Sequence, residues 1–365
     1  MGEGSGVRSF LDGLVTSGVA SSAVALAGTA KEIVWEKGVG QARVDLPATV
    51  TTRFDYASLT KPFIATLALV LDAEGVLPLA TRIGEVWPEA DPRLGRRPLS
   101  DLLRHRSGLA AWRPLDHLCR SREDVLSLLL GGSLLGTRAG TYSDLDYILW
   151  GMAAERVTGT ALHELVRARV LSPLGLTAVE PTPGDLLDIA ASRMDTGKEA
   201  LLAAQQGLTI LPLPPPPPGL PQDGNARFLI GDRGMRAARM TGHAGLFGRA
   251  RDLWALGAEW LAPGRLLQPA AVAAALGGGG GFALGWWRRT LRNSAGRALS
   301  RSSFGHTGFA GGSLWIDPDS RGTGRIFVLL SSRADPFCAM NRWRRRFHTL
   351  ASPTIEMTPL EATTR

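Results

Sequence analysis

The sequence predicts an α+β fold: a mainly antiparallel sheet built from both chain ends, flanked by terminal helices, with a mostly helical lobe inserted between them. Three observations lead there. Strand-like runs lie at the two ends, at residues 23–28 and 33–38 and again at 282–287, 311–316 and 325–330. The middle carries apolar residues at helical spacing. Terminal strands must pair with something, and no βαβ repeat is present to pair them in parallel.

Taken in order, Phe10-Leu-Asp-Gly-Leu-Val is interrupted by Asp12 and lacks a strongly positive lead-in, so it reads as an amphipathic helix rather than an export signal. Thr29, Ala30 and Lys31 turn the first hairpin. Residues 62–72 are almost continuously apolar, the mark of a buried helix, and 99–103, 123–130, 146–158 and 162–170 follow at helical spacing. Asp317, Pro318, Asp319, Ser320 and Gly322 turn the last hairpin. A single domain over 1–365 is expected, with the sheet lobe from about 1–57 and 245–350 and the helical lobe from about 58–244. Two low-complexity stretches interrupt it. The proline run at 211–221 reads as a stiff surface loop in preference to an SH3-type ligand, and the five glycines 277–281 read as a flexible connection into the following strand.

Composition removes several function classes. The 365 residues are 44% hydrophobic and 20% charged, enough for a sizeable core and unlike a disordered chain. No apolar run reaches the ~20 residues of a membrane helix, and a cytoplasmic protein is expected. Cys119 and Cys338 cannot form a disulfide scaffold or a self-contained zinc site, and both read as small hydrophobes. The net charge is 41 − 33 = +8, yet only Lys31, Lys37, Lys61 and Lys198 are lysines, and the arginines are interleaved with acids. No nucleic-acid motif accompanies that charge, so no nucleic-acid partner is expected. The densest basic cluster, Arg342, Arg344, Arg345 and Arg346, reads as the solvated face of a terminal helix.

The chemistry narrows by elimination. Gly-x-Ser-x-Gly, His-Glu-x-x-His, phosphate-loop and Gly-x-Gly-x-x-Gly patterns are absent. What remains is Ser58-Leu-Thr-Lys61 at the start of the apolar helix. A spacing of three puts Ser58 and Lys61 on one helical face. A desolvated lysine with a lowered pKa can take the proton that a serine must lose to become a nucleophile, and the helix N-terminus favours a developing oxyanion. Pro62 suits a first turn. Alone, Ser58 would be an N-cap and Lys61 a surface residue.

Two further motifs stand with it: Tyr142-Ser-Asp144, and His306-Thr-Gly308 followed by Phe309. In their order, spacing and framing segments (Tyr56-Ala-Ser-Leu-Thr-Lys-Pro, Leu102-Leu-Arg-His-Arg-Ser-Gly-Leu, Tyr142-Ser-Asp-Leu-Asp-Tyr-Ile-Leu-Trp-Gly, Pro173-Leu-Gly-Leu, Gly242-His-Ala-Gly-Leu-Phe, Gly305-His-Thr-Gly-Phe), the chain resembles the serine β-lactamase and penicillin-binding-protein superfamily. The resemblance is to its class C-like, β-lactamase-related hydrolases and esterases, and covers roughly residues 8–350.

That resemblance implies a β-lactamase/transpeptidase-like fold and an acyl-enzyme on Ser58. Lys61 and Tyr142 would share the proton traffic, and Asp144, His306, Thr307 and Gly308 would line the substrate site. The backbone N–H groups of Ser58 and Phe309 would form the oxyanion hole. No metal or organic cofactor is implied. Two departures matter. Asp144 stands where the family often has Asn, so an amide donor is lost and Lys61 could be held charged. His306 replaces the usual Lys, and an unperturbed histidine is mostly neutral at pH 7, which weakens attraction to a substrate carboxylate. Both tilt the expectation to an esterase or amidase acting on a small ester, amide or β-lactam-like substrate. D,D-carboxypeptidase or β-lactamase is the alternative within the class, and a catalytically silent binding protein the alternative outside it. Tyr142 and His306 each retain a packing reading, His105 reads as structural and His243 as architectural, bonding backbone near the site, Asp223 and Asn225 as shaping the cleft, and Trp286, Trp287 and Trp315 as packing on the sheet.

Overall fold

A computed structural model describes residues 5–181, 188–191, 197–211, 220–221, 223–231, 240–318, 324–334 and 340–356. Residues 212–219 of the proline run, Cys338 and part of the final turn lie outside the described residues. The α+β expectation is met. Strands β1 (Ala20–Gly28), β2 (Ile33–Arg43) and β3 (Leu46–Pro47) come early, and β4 (Phe54–Asp55), β5 (Glu180–Pro181) and β6 (Leu246–Gly248) are short interior strands. Strands β7 (Phe282–Ala283), β8 (Trp286–Arg288), β9 (Phe304–Thr307), β10 (Ser313–Asp317) and β11 (Arg325–Arg333) come late.

The main sheet has eight strands in the order β3-β2-β1-β11-β10-β9-β8-β7, every pairing antiparallel. The chain ends meet at its centre, where β1 pairs β11 with Val24 opposite Leu330 and Ala25 opposite Leu329. Both faces are covered, which the period of two along β1 reflects. Val24 and Leu26 join the core shared with the Thr60–Ala73 and Ala250–Leu261 helices. Ala23, Ala25 and Ala27 face the terminal helices Ser5–Thr16 and Met340–Glu356, whose Phe10 and Phe347 stack at 6.2 Å.

The middle is helical, with Leu99–Leu103, Arg122–Leu130, Asp144–Thr158 and Leu162–Val166 close to the sequence expectation, the last widening into a π-helical turn at Arg167–Leu171. A small second sheet, β4-β6-β5, ties the segment before Ser58 to the chain ahead of the Ala250–Leu261 helix.

Four readings are corrected. Residues 282–287 form two strands, with Phe282 paired to Trp287 and Ala283 to Trp286. The reversal falls at Leu284-Gly285, where Gly285 has φ +83°. The glycine run is held rather than loose. Arg104, Arg106 and Arg288 donate to the carbonyls of Gly277 and Gly279, supplying partners that a glycine backbone otherwise finds in water. The basic cluster is only partly solvated: Arg342 and Arg346 are exposed, but Arg344 is buried. Trp286 and Trp315 pack in the interior, but Trp287 reaches the cleft described below.

The turn at Gly285 also abuts the Thr60–Ala73 helix, because a Cβ there would overlap the Ala65 methyl. Gly285→Ala should therefore lower the denaturant midpoint, with about 1–2 kcal/mol from left-handed backbone strain alone. An unchanged midpoint in chemical denaturation would refute this account of the turn.

Candidate active site

The first two motifs converge on one hydroxyl, and the third lies against the turn that carries it. Ser58 sits in a 3-10 turn, Ala57–Leu59, that runs into the Thr60–Ala73 helix, so the helix begins two residues before the apolar run. Ala57 takes φ +46°, a left-handed conformation that costs a non-glycine residue roughly 1–3 kcal/mol. Its N–H is fixed by the Asp55 carboxylate at 2.8 Å. Helical spacing then brings Lys61 Nζ to 2.9 Å from Ser58 Oγ.

Lys61 is fully buried. Its other donors reach Asp144 Oδ1 at 2.7 Å and the His243 carbonyl at 3.1 Å, and its Nζ lies over the Tyr142 and Tyr147 rings at 5.0 and 5.4 Å. Burial pulls the Lys61 pKa below its ordinary 10.5, and the negative charge and hydrogen bond of Asp144 oppose that pull. The ion pair that Asp144 was expected to make is present.

Tyr142 approaches from the other side, its OH 2.9 Å from Ser58 Oγ. Burial first, and Asp144 second, raise its pKa well above 10, so it is a phenol and donates. The next residue, Ser143, caps the Asp144–Thr158 helix. Its Oγ accepts from the Asp146 N–H at 3.3 Å and donates to the Ala110 carbonyl at 2.7 Å. His105 supports this corner from behind. At φ +55° it places Nδ1 to accept from the Ser143 N–H at 3.1 Å, and its ring lies 4.6 Å from that of Tyr142. His105 Nδ1 and Asp146 Oδ2 are 3.4 Å apart without forming an ion pair. Burial drives the His105 pKa well down, so its ring is neutral, and pushes that of Asp146 well up, while Ser107 donates to Asp146.

The third motif ends β9. Gly308 lies against the Ser58 turn so closely that a Cβ would stand 2.6 Å from the Tyr56 carbonyl oxygen, which explains glycine there. Arg344 donates to the carbonyls of Gly308 and Gly312 at 3.0 and 2.9 Å, bracing the same loop from the C-terminal helix. His306 is buried, with burial pushing its pKa down to about 3. Its Nδ1–H donates to the Thr307 carbonyl at 2.9 Å, leaving a neutral ring 6.0 Å from that of Tyr142.

These groups open on a cleft of about 530 Å³. Ser58, Tyr142, Asp144, Thr307, Gly308 and Phe309 line it, with Trp112 and Trp287 as aromatic walls. Lys61 and His306 stand behind that wall, buried. Trp287 stacks on Tyr142 at 5.5 Å. Two carboxylates are added from the far side. Burial, then the charge of Asp223, raises the Glu199 pKa to about 8, so it is protonated at neutral pH. Asp223 accepts from His243 Nε2 at 3.0 Å; although burial opposes ionisation, that neighbour holds its pKa below the ordinary value.

Sequence reasoning missed Glu199, Arg344 and Trp287 as parts of the cleft, and it placed His243 on backbone partners. The ring instead bonds the side chains of Asp223 and Thr241, and it is the carbonyl of His243 that meets Lys61. Asn225 does not line the cleft but braces the segment after Trp112: its amide donates to the Arg113 carbonyl and accepts from the Leu115 N–H. Only the Asp223-x-Asn225 and Gly242-His243 strings signalled this region.

Comparisons with known proteins agree with the geometry. The family model described as Beta-lactamase matches residues 7–351. A protein of Escherichia coli (strain K12), named as a candidate D-alanyl-D-alanine carboxypeptidase, is 28% identical over 84% of this chain and 78% of its own length. Esterase EstB of Burkholderia gladioli is 30% identical over 69% of both chains. A class C β-lactamase from Rhodobacter sphaeroides superposes with a TM-score of 0.69 at 18% identity, covering 95% of this chain and 99% of that one. The chain belongs to the Beta-lactamase family of serine hydrolases.

Proposed function

We propose that the protein is an acyl-enzyme hydrolase with Ser58 as nucleophile, Lys61 as general base and Tyr142 as the phenol that carries the proton onward. It acts by preference on small esters or amides that lack a carboxylate beside the scissile bond. The observation carrying the reading is the shared hydroxyl: Ser58 Oγ lies 2.9 Å from both Lys61 Nζ and Tyr142 OH.

Donor counting assigns the roles. A neutral Lys61 has two N–H donors and one lone pair. Asp144 and the His243 carbonyl accept the two, which leaves the lone pair facing the Ser58 hydroxyl. Tyr142 is protonated, so it cannot be the base. The Ser58 proton passes to Lys61 as Oγ attacks the carbonyl. The oxyanion forms at the backbone N–H groups of Ser58 and Phe309, and the leaving group takes a proton through the Tyr142 hydroxyl. Water then repeats the sequence on the acyl-enzyme.

Substrate preference follows from His306, whose neutral ring offers no cation to a substrate carboxylate. Asp144 and Asp223 on the cleft wall further disfavour anions. EstB, whose name is that of an esterase, supports this choice. A second reading rests on Arg333, Asn341 and Arg344, which also line the cleft and could receive a carboxylate as in a D,D-peptide or β-lactam.

Intact-mass measurement after a fluorophosphonate should show one adduct in the wild type and none in Ser58→Ala. Turnover of a p-nitrophenyl ester without penicillin acylation would support the first substrate reading, and penicillin acylation the second. Absence of any adduct would overturn the mechanism. Lys61→Met should slow acylation by about 10²–10⁴-fold, the usual contribution of a positioned base; a near-wild-type rate would remove Lys61 from that role. Since the base must be neutral, acylation rises with pH through the Lys61 pKa. Asp144 raises that pKa, so Asp144→Asn should move the rising limb to lower pH. A limb that moves up or stays in place would contradict the assignment.

A further inference from the structure

The proposed mechanism depends on where the lone pair of Lys61 points, and that depends on the two acceptors of its N–H groups. Asp144 is one of them and belongs to the second motif. The other is the carbonyl of His243, 182 residues away in sequence. A backbone carbonyl in a connecting segment holds its direction only if the segment is held, and the side chain of the same residue is held at both ring nitrogens. His243 Nε2 meets Asp223 Oδ1 at 3.0 Å, and Nδ1 meets Thr241 Oγ1 at 2.8 Å. Thr241 closes the turn, its N–H donating to the Ala244 carbonyl at 3.0 Å. Asp223 is itself fixed by the Ala226 N–H at 2.7 Å, at the start of the Gly224–Gly231 helix.

We propose that Asp223 and His243 form a positioning unit that aims Lys61 at Ser58, with Asp223 orienting the His243 ring and the His243 carbonyl fixing the amine. This rests on Lys61 being the base. Neither residue touches the reacting carbonyl; both act through Lys61. The inference also assigns a purpose to a buried histidine–carboxylate pair that the acylation chemistry does not otherwise use.

The unit has an electrostatic signature that a merely structural pair lacks. The groups facing Lys61 are Asp144, Asp146 and Asp223, the Tyr142 and Tyr147 rings, and the neutral His105 and His306. The three carboxylates favour the ammonium, opposing burial. Removing the charge of Asp223 lowers the Lys61 pKa, and so does loosening the carbonyl that accepts from it. The two effects share a sign, whereas misaiming the lone pair lowers the rate at every pH.

The test uses full-length protein and Asp223→Asn, which keeps shape and removes charge. Fluorophosphonate acylation should slow by about 10- to 100-fold, the cost of small misplacement at a reacting centre, with KM for a p-nitrophenyl ester little changed and the rising limb moved to lower pH. His243→Gln, whose amide can still donate to Asp223, should recover a large part of the rate lost in His243→Ala. Because the chain has four lysines, ε-¹³C-lysine NMR resolves Lys61 without any turnover, assigned with Lys61→Met. Its titration should shift to lower pH in Asp223→Asn. A wild-type acylation rate in Asp223→Asn, or a slowed rate with an unmoved Lys61 titration, would overturn the proposal. If the wild type reacts with no probe, the hydrolase mechanism fails instead, and the Lys61 titration still decides the positioning unit.

Discussion

Everything at the site turns on one buried amine. Removing a lysine ammonium from water costs on the order of several kcal/mol even after relaxation, so a Lys61 without partners would not persist in charged form. The chain surrounds it with acceptors from three separate regions: its own helix through Ser58, the second motif through Asp144, and the 241–244 turn through a carbonyl. Two tyrosine rings complete the enclosure. That arrangement explains why the Thr60–Ala73 helix, the Asp144–Thr158 helix and the 241–244 turn must meet at this point. Each supplies one wall of a polar cage, and no single element could build it.

The cage constrains the fold around it. The Thr60–Ala73 helix must present its N-terminal turn to β9, which the glycine at 308 permits by allowing backbone contact with Tyr56. The loop after β9 closes on itself, the Gly308 N–H donating to the Gly312 carbonyl and the Gly311 N–H to the Gly308 carbonyl. Arg344 adds a second donor to each of those carbonyls from the C-terminal helix, so the last helix of the chain braces a loop that the first motif depends on. The pairing of β1 with β11 at the sheet centre brings the two chain ends into register and makes this possible.

What could be read in the sequence follows from locality. Ser58 and Lys61 were legible because three residues of helix fix their relation, and Tyr142-Ser-Asp because a cap residue marks the start of a helix. The strands and helices were legible from period, although residues 282–287 were taken for one strand because a two-residue reversal leaves no polar signal between apolar flanks. Trp287 was assigned to sheet packing because periodicity does not tell which face meets a cleft. Arg344 was hidden among neighbours that are solvated. Asp223 and His243 could be suspected but not paired, since they stand 20 positions apart in sequence, beyond the reach of helical or strand periodicity.

The distribution of charge gives the site its economy. Four carboxylates surround Lys61 and the cleft, and four ionised carboxylates at such close quarters would repel one another and lock the ammonium in place. Burial pushes the Asp146 pKa up and raises that of Glu199 to about 8, and it keeps His105 and His306 from charging. Asp223 stays ionised because it faces the His243 ring. Of these groups Asp144 alone bonds the amine directly. In the proposed mechanism the Ser58 proton has one short path, from serine to lysine, with the Tyr142 phenol on the other side of the same oxygen to pass one to the leaving group. A lysine in place of His306 would put a second buried cation near the first and lower the capacity of Lys61 to accept that proton. In the proposed mechanism the histidine thus relieves the base as well as removing a carboxylate-binding charge, which would place substrate choice and base strength under the same residue.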